Sequence, residues 1–490
     1  MAQESWNKND KLKKENSINL FKEAAKRVPA YKDFLKTNKV RPDKIKSWDD
    51  FLKVPHVNKK NYLRKYPLKD LCWDGSLNKP LVFSSTSSST GEPFYFARDE
   101  RVDLQSSEVY ESFLKQNVLK DGGSTLIVVC FGMGVWIGGV IAYESFSTAS
   151  RNGNHPVSIL TPGINKKEIF GSLCGLASNF DNVVLVGYPP FIKDIIVEAP
   201  DHGINLKKMN LKLVFAAEVF TENFRDYLVK KAGIKNPYLD ILHIYGSADI
   251  GTMAWETGIS TLIKKLAMKD KKLFSDLFPD SENKTPTLAQ YNPKFINFEA
   301  PSGEIILTGN NAMPLIRYAI GDRGGVFTYD EITQKLAENG YDLKEELKKF
   351  SISNHLQKFP FVYVFERLDF STTIYGLQIY PEMIRDSLLS GKSKDYVTGK
   401  FTMLTKFDKN HDQYLEINLE LRKNIKLSKW LEKMLADKVV SDLCKKSSEF
   451  RELYAYLKER AVPRLVFWSF EDEGYFKPGI KQRWINREAS

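Results

Sequence analysis

Between residues 80 and 330, short apolar runs rich in β-branched side chains alternate with segments whose apolar residues recur at helical spacing. The runs fall at 125–129, 183–186, 211–215 and 241–245, and helical stretches at 191–198 and 221–231 lie between them. A strand with no polar alternation is buried on both faces, so it needs helices above and below its sheet. The pattern therefore dictates an α/β architecture around a largely buried sheet.

The flanking regions are simpler. Residues 1–75 read as helical, with Ile18, Phe21, Ala24, Ala25 and Val28 on one stripe and Ser47 capping a helix that starts at Trp48. Residues 252–300 are less regular and more polar, and are expected to form an insertion or lid-like excursion. A last strand at 361–366 leads into a smaller unit. There, 401–407 and 414–421 read as a hairpin with Leu415, Ile417, Leu419 and Leu421 on one face. An amphipathic helix at 428–443 and a closing strand at 465–468 complete it. At 490 residues the chain is too long for one core. The expectation is a large N-terminal domain of mixed sheets and helices, with an opening segment 1–75 and a body 76–366. A small, mobile α+β domain, 367–490, follows.

Charge and cysteine content narrow the function classes. The net charge of +11 comes from 72 Lys and Arg against 61 Asp and Glu, and no single basic block carries it. Scattered lysines describe a solvated surface with some attraction for anionic ligands, and neither a nucleic-acid protein nor stable membrane insertion is expected. The four cysteines lie far apart and the six histidines show no metal-ligand spacing. Free thiols and a polar N-terminus without a secretory signal fit the cytoplasm. The uncharged run 126–143 approaches the length of a bilayer span, but Gly132, Gly134, Gly138 and Gly139 interrupt it. It reads as a buried strand, a glycine turn and a buried helix.

Five stretches carry candidate chemistry. Residues 81–99 read LVFSSTSSSTGEPFYFARD: a strand, seven consecutive hydroxyl residues from Ser84 to Thr90, a Gly-Glu-Pro turn and a second strand. Such a turn can cradle phosphate oxygens; composition alone favours a serine-rich surface loop. Residues 241–251 form a strand ending in Tyr245-Gly246-Ser247, with Asp249 just beyond, where ligands bind in α/β sheets. Asp322 sits in the glycine turn 321–324, suited to hydrogen-bonding a ribose diol. Arg367 and Asp369 follow at 366–369, and the chain closes on GYFKPGIKQRW at 474–484.

In this order, the motifs resemble the adenylate-forming (AMP-forming acyl-CoA synthetase) superfamily, in its phenylacetate–CoA ligase-like, capsule-biosynthesis-associated branch. The resemblance runs through nearly the whole chain, from the opening 28–67 onward. It implies that Ser87, Ser88, Ser89, Thr90 and Gly91 hold the β- and γ-phosphates of ATP. Glu218, Tyr245, Gly246 and Ser247 would meet the nucleotide, Asp249 would place Mg²⁺, and Asp322 and Arg367 would hold the ribose. Asp369 would be the hinge between the domains. Lys481, with Lys477 as the alternative, would bridge the carboxylate and the α-phosphate. The chain departs from the family pattern at Ser88 (a glycine there), Glu92 (a lysine), Ala248 (a threonine), Asp249 (a glutamate), Glu366 (a glycine) and Ile480, which separates Gly479 from Lys481.

The implied reaction activates a carboxylic acid as acyl-AMP, then passes the acyl group to a thiol, coenzyme A first among the acceptors. A carrier-protein thiol or an amine stays open as the acceptor. No Ser-His-Asp triad is needed or found, because the substrate carboxylate is itself the nucleophile. Residues 131–143 with Tyr188-Pro189-Pro190 either wall an acyl pocket or belong to ordinary core. The rival readings are a catalytically reduced ligand-binding relative and a basic polyanion-binding protein.

Overall fold

The computed structural model describes residues 2–86, 94–118, 123–279, 285–365, 372–472 and 475–476. It opens with helices Ala2–Arg27 and Pro29–Thr37, split where Pro29 occupies a first-turn position. Phe21, Ala24 and Val28 are buried, as the stripe predicts. Ser47 and Asp50 close a reciprocal capping box on helix Trp48–Phe51. This opening segment is held to the body by Arg317. Its guanidinium pairs with Glu299 at 2.8 Å and donates to the carbonyls of Leu52 and Val54, while Val57 bridges to Tyr318.

The hydroxyl-rich stretch begins inside strand β1 (Val82–Thr86), which pairs antiparallel with β2 (Phe94–Arg98). The main sheet then takes β3 (Thr125–Cys130), β4 (Val157–Leu160), β5 (Asn182–Gly187), β6 (Leu211–Ala216), β7 (Ile241–Ser247) and β8 (Gly251–Glu256). It is completed by β9 (Thr287–Gln290), β10 (Ile296–Glu299), β11 (Glu304–Gly309), β12 (Leu315–Phe327) and β13 (Phe361–Val364). The order across its 11 strands is β10-β11-β12-β13-β9-β8-β7-β6-β5-β3-β4. Strands β4, β3, β5, β6 and β7 run parallel, and the rest pair antiparallel. Strands β3 and β5 are buried at every position, which is why their sequences lack alternation. The run 126–143 resolves into β3, a turn, and helix Ile137–Gly153. No helix among the described residues is long and apolar enough to cross a membrane.

One expectation is overturned. Residues 252–300 are not an excursion: β8 is buried throughout, and β9 lies inside the sheet between β8 and β13. The polar look of this stretch comes partly from buried residues that are paired internally. Lys264, on helix Gly258–Lys269, bonds Glu222 at 2.8 Å and also Glu256; Gln290 donates to the carbonyls of Gln357 and Phe359.

The C-terminal elements are smaller. Strands β14 (Thr372–Ile374) and β15 (Leu377–Ile379) make a two-residue hairpin. Strands β16 (Val397–Phe407), β17 (Gln413–Leu421) and β18 (Arg464–Trp468) make a three-stranded sheet, with β18 parallel to β17. Helices Lys429–Lys446 and Ser448–Leu457 belong to the same unit. Leu415, Ile417 and Leu419 are fully buried and pack with Leu431, Leu435 and Val439, so the expected hairpin and amphipathic helix share one core.

Candidate functional site

A cavity of about 660 Å³ opens where the parallel strands end. The loop after β3 supplies Phe131, Gly132 and Trp136; helix Ile137–Gly153 adds Ile137 and Ile141, and the end of β5 adds Tyr188. Phe131 and Tyr188 meet edge to face at 4.8 Å. These residues form an apolar wall, as a pocket-lining reading of 131–143 requires. Pro189 and Pro190 are buried in the first turn of helix Pro189–Glu198 and do not line it.

The opposite side is polar. Glu218 follows β6, Tyr245, Gly246 and Ser247 end β7, Asp249 begins the turn to β8, and Asp322 comes from β12. Sequence positions more than a hundred residues apart thus meet in one cavity, although β13, β9 and β8 separate β12 from β7 in the sheet. The Tyr245 hydroxyl donates to Asp322. Asp249 is buried; it accepts from the Tyr318 hydroxyl at 2.5 Å and pairs with the Lys59 ammonium at 3.3 Å. Ser247 lines the cavity, and its Oγ is buried without a hydrogen-bond partner.

Lys59 has no counterpart in the sequence reasoning. It comes from the opening segment, in the turn Lys59–Leu63, and reaches the cavity only because that segment is docked on the sheet. In sequence it is one lysine among many, and no local signal separates it from solvated ones.

Glu218 has a second set of partners. The backbone N–H of Gly376 and the side-chain amide of Gln413, the latter at 2.8 Å, both donate to its carboxylate. The β14–β15 turn and the start of β17 therefore roof the cavity, and Thr405, Lys406, Glu449 and Glu452 line it from the same unit. Burial pushes the Glu452 carboxyl above its ordinary range. Behind β7, the His243 ring meets the Glu218 carbonyl at 3.0 Å and Glu256 at 3.5 Å. Glu256 belongs to a buried set with Arg225, Glu222 and Lys264. Arg225 and Phe224 do not line the cavity; Arg225 is fully buried in this set.

Several candidates lie outside the described residues: Ser87, Ser88, Ser89, Thr90 and Gly91, then Arg367 and Asp369, then Lys477 and Lys481. The chain before the first group, at Ser85, and on either side of the second, at Phe365 and Thr372, borders the cavity. No cluster of three or more metal-ligating side chains occurs among the described residues. The donor set fits a Mg²⁺ that arrives on phosphates, since such an ion needs only one or two protein carboxylates, and Asp249 offers one.

No family model matches the sequence, and no curated protein matches it. Among solved structures, the fold is shared with 2-hydroxyisobutyryl-CoA ligase. In its thioesterification state, in complex with 2-HIB-AMP and CoA, the match has a TM-score of 0.62 at 16% identity, covering 96% of this chain and 89% of that one. Against the postadenylation state with 2-HIB-AMP the TM-score is 0.52 at 15% identity, covering 97% and 88%. Against an open conformation it is 0.51 at 16% identity, covering 96% and 90%. The chain is thus an α/β protein that shares the fold of these structures, with a large sheet of 11 strands and a smaller C-terminal sheet unit.

Proposed function

We propose that this chain is an AMP-forming acid–thiol ligase. The observation that carries the reading is the cavity. An apolar wall and a polar side with Asp249, Asp322 and Ser247 meet at the ends of parallel strands, under a second unit, in a fold shared with a CoA ligase. An acid's apolar body suits the wall, and a nucleotide suits the polar side.

In the first step a carboxylate oxygen of the substrate attacks the α-phosphorus of ATP. The bond from that phosphorus to the bridging oxygen breaks, and pyrophosphate leaves with the electron pair. The serine-rich loop (Ser87, Ser88, Ser89, Thr90, Gly91) is assigned the β- and γ-phosphates. Asp322, held by Tyr245, and Arg367 are assigned the ribose; Glu218, Gly246 and Ser247 flank the nucleotide. Lys481 is assigned the α-phosphate and the carboxylate. Lys59 adds a cation facing the phosphates, and Asp249 would hold Mg²⁺, which when bound neutralises phosphate charge. In the second step a thiolate, that of coenzyme A in this reading, attacks the acyl carbon and AMP leaves. The phenylacetate–CoA ligase-like branch, a cytoplasmic setting and a domain boundary at 366–367 with Asp369 as hinge belong to the same proposal. So do the acid substrate and the carrier-protein thiol as an alternative acceptor.

ATP–pyrophosphate exchange across aryl, fatty and sugar-linked acids tests this. Carboxylate-dependent exchange is expected for at least one class, and Lys481→Ala is expected to abolish it with an unchanged melting curve. Absence of exchange with every acid, together with ATP binding, would favour the ligand-binding reading that the Lys59–Asp249 pair also permits.

A further inference from the structure

The small unit carries a feature unrelated to the cavity. Strands β16 and β17 point one end at the cavity, through Phe407 and Gln413, and the other end, Val397 opposite Leu421, away from it. Eight steps along β17 separate the ends by roughly 27 Å. Beyond Leu421 the chain runs over the surface to the N-cap Ser428 of helix Lys429–Lys446. Leu427 is 49% exposed, and Trp430, at 57%, is the most exposed large apolar residue among the described residues.

Cations surround this pair. Arg422, Lys423, Lys426, Lys429 and Lys433 are all exposed, and none makes an ion pair among the described residues. Glu432 is the one acid between 422 and 433. These five basic residues fall within the twelve positions 422–433, so the charge is concentrated locally in the chain itself, and the turn and helix start hold it at one corner. The corner is also built to hold its shape. The Arg422 N–H donates to the Tyr396 carbonyl at 2.8 Å, its Nε donates to the Lys394 carbonyl at 2.7 Å, and Ile425 N–H returns to Arg422 at 3.1 Å. The Trp430 ring lies 5.8 Å from Tyr396, edge to face, and Leu431 anchors the helix in the core.

We propose that this corner docks the protein on an anionic membrane surface. Leu427 and the Trp430 indole enter the headgroup layer, where an amphipathic ring is favourably placed, and the unpaired lysines meet acidic lipid headgroups. A nucleic acid fits less well: base stacking uses aromatic faces, and the aliphatic Leu427 offers none. The inference does not depend on the activity proposed above.

Sedimentation of the full chain with phosphatidylcholine vesicles, with and without phosphatidylserine, tests it. Co-sedimentation is expected only with phosphatidylserine and is expected to be lost in high salt. The combined Lys423→Glu, Lys426→Glu and Lys429→Glu variant is expected to bind such vesicles roughly a hundredfold more weakly, with exchange activity and melting curve unchanged. Leu427→Ser with Trp430→Ser is expected to weaken binding while keeping the salt dependence, which gives an independent readout should the charge variant fold poorly. Equal recovery with both vesicle types would overturn the proposal, as would unaltered binding by the charge variant. Preferential, corner-dependent binding to a single-stranded oligonucleotide would replace it with the nucleic-acid reading.

Discussion

At the scale of single residues, two side chains define what the polar side of the cavity can do. Asp249 is buried with Tyr318 on one oxygen and Lys59 on the other, so its charge is balanced without any ligand. A cation aimed at phosphates in a partly desolvated cavity stabilises developing negative charge more than it would in water. Lys59→Met is expected to lower pyrophosphate exchange about a hundredfold with little change in melting temperature; a parent-like rate would show that Lys59 only neutralises Asp249. Arg225 is the opposite case, a residue with no exposure and no cavity contact. It bonds Glu222 at 2.8 Å and Glu256 at 2.6 Å. Removing one member strands buried carboxylates, so Arg225→Ala is expected to cost about 3–5 kcal/mol in urea unfolding. A cost below about 1 kcal/mol would mean that water reaches the set.

At the scale of elements, the β14–β15 hairpin joins the two parts of the molecule. Its two turn residues, Tyr375 and Gly376, have φ of 49° and 79°, the sign a type I′ turn requires. Gly376 seats against Tyr188 so closely that a Cβ would lie 2.2 Å from the ring. From that seat its N–H reaches Glu218, while Tyr375 N–H bonds Gln413 at 2.6 Å. Gly376→Ala brings both the clash and an unfavourable φ, an expected loss of at least ~1–2 kcal/mol in the docking of the hairpin. Faster proteolysis of the C-terminal unit in this variant is the measurement. Parent-like resistance would show that the unit is held elsewhere, by Arg460 with Asp194 and Glu198 or by Lys193 with Asp412.

For the molecule as a whole, the buried charges set the response to acid. Burial works against the charge on Glu256, but Lys264, His243 and Arg225 together outweigh it and hold its carboxyl well below the ordinary value of 4.5. Glu222 is depressed in the same way: burial opposes its charge, and Arg225 and Lys264 prevail. A carboxyl depressed in the folded state contributes stability that is present above its unfolded value and lost as pH falls toward the folded one. These two groups therefore leave the melting temperature level from neutral pH down to about 4.5 and make it fall steeply below that. Glu256→Gln is expected to flatten the acid limb. An identical limb in that variant would place the acid sensitivity in other carboxylates.

Much of this molecule was legible before any tertiary contact was known. Strands β3, β5, β6 and β7, the helix after the glycine turn at 131–136, the Ser47 cap and the β16–β17 hairpin all follow from local spacing. A residue's helical or extended repeat decides which neighbours share its face, and the chain alone carries that information. What only the tertiary structure decided concerns convergence. It put β9 inside the sheet and aimed Lys59 at Asp249. It gave Glu218 to Gly376 and Gln413, and it seated Trp430 edge to face against Tyr396 with most of the ring left exposed. A polar residue reads the same in sequence whether water or a distant partner satisfies it. Sheet order and domain docking choose between the two, and they are set by burial summed over the whole chain.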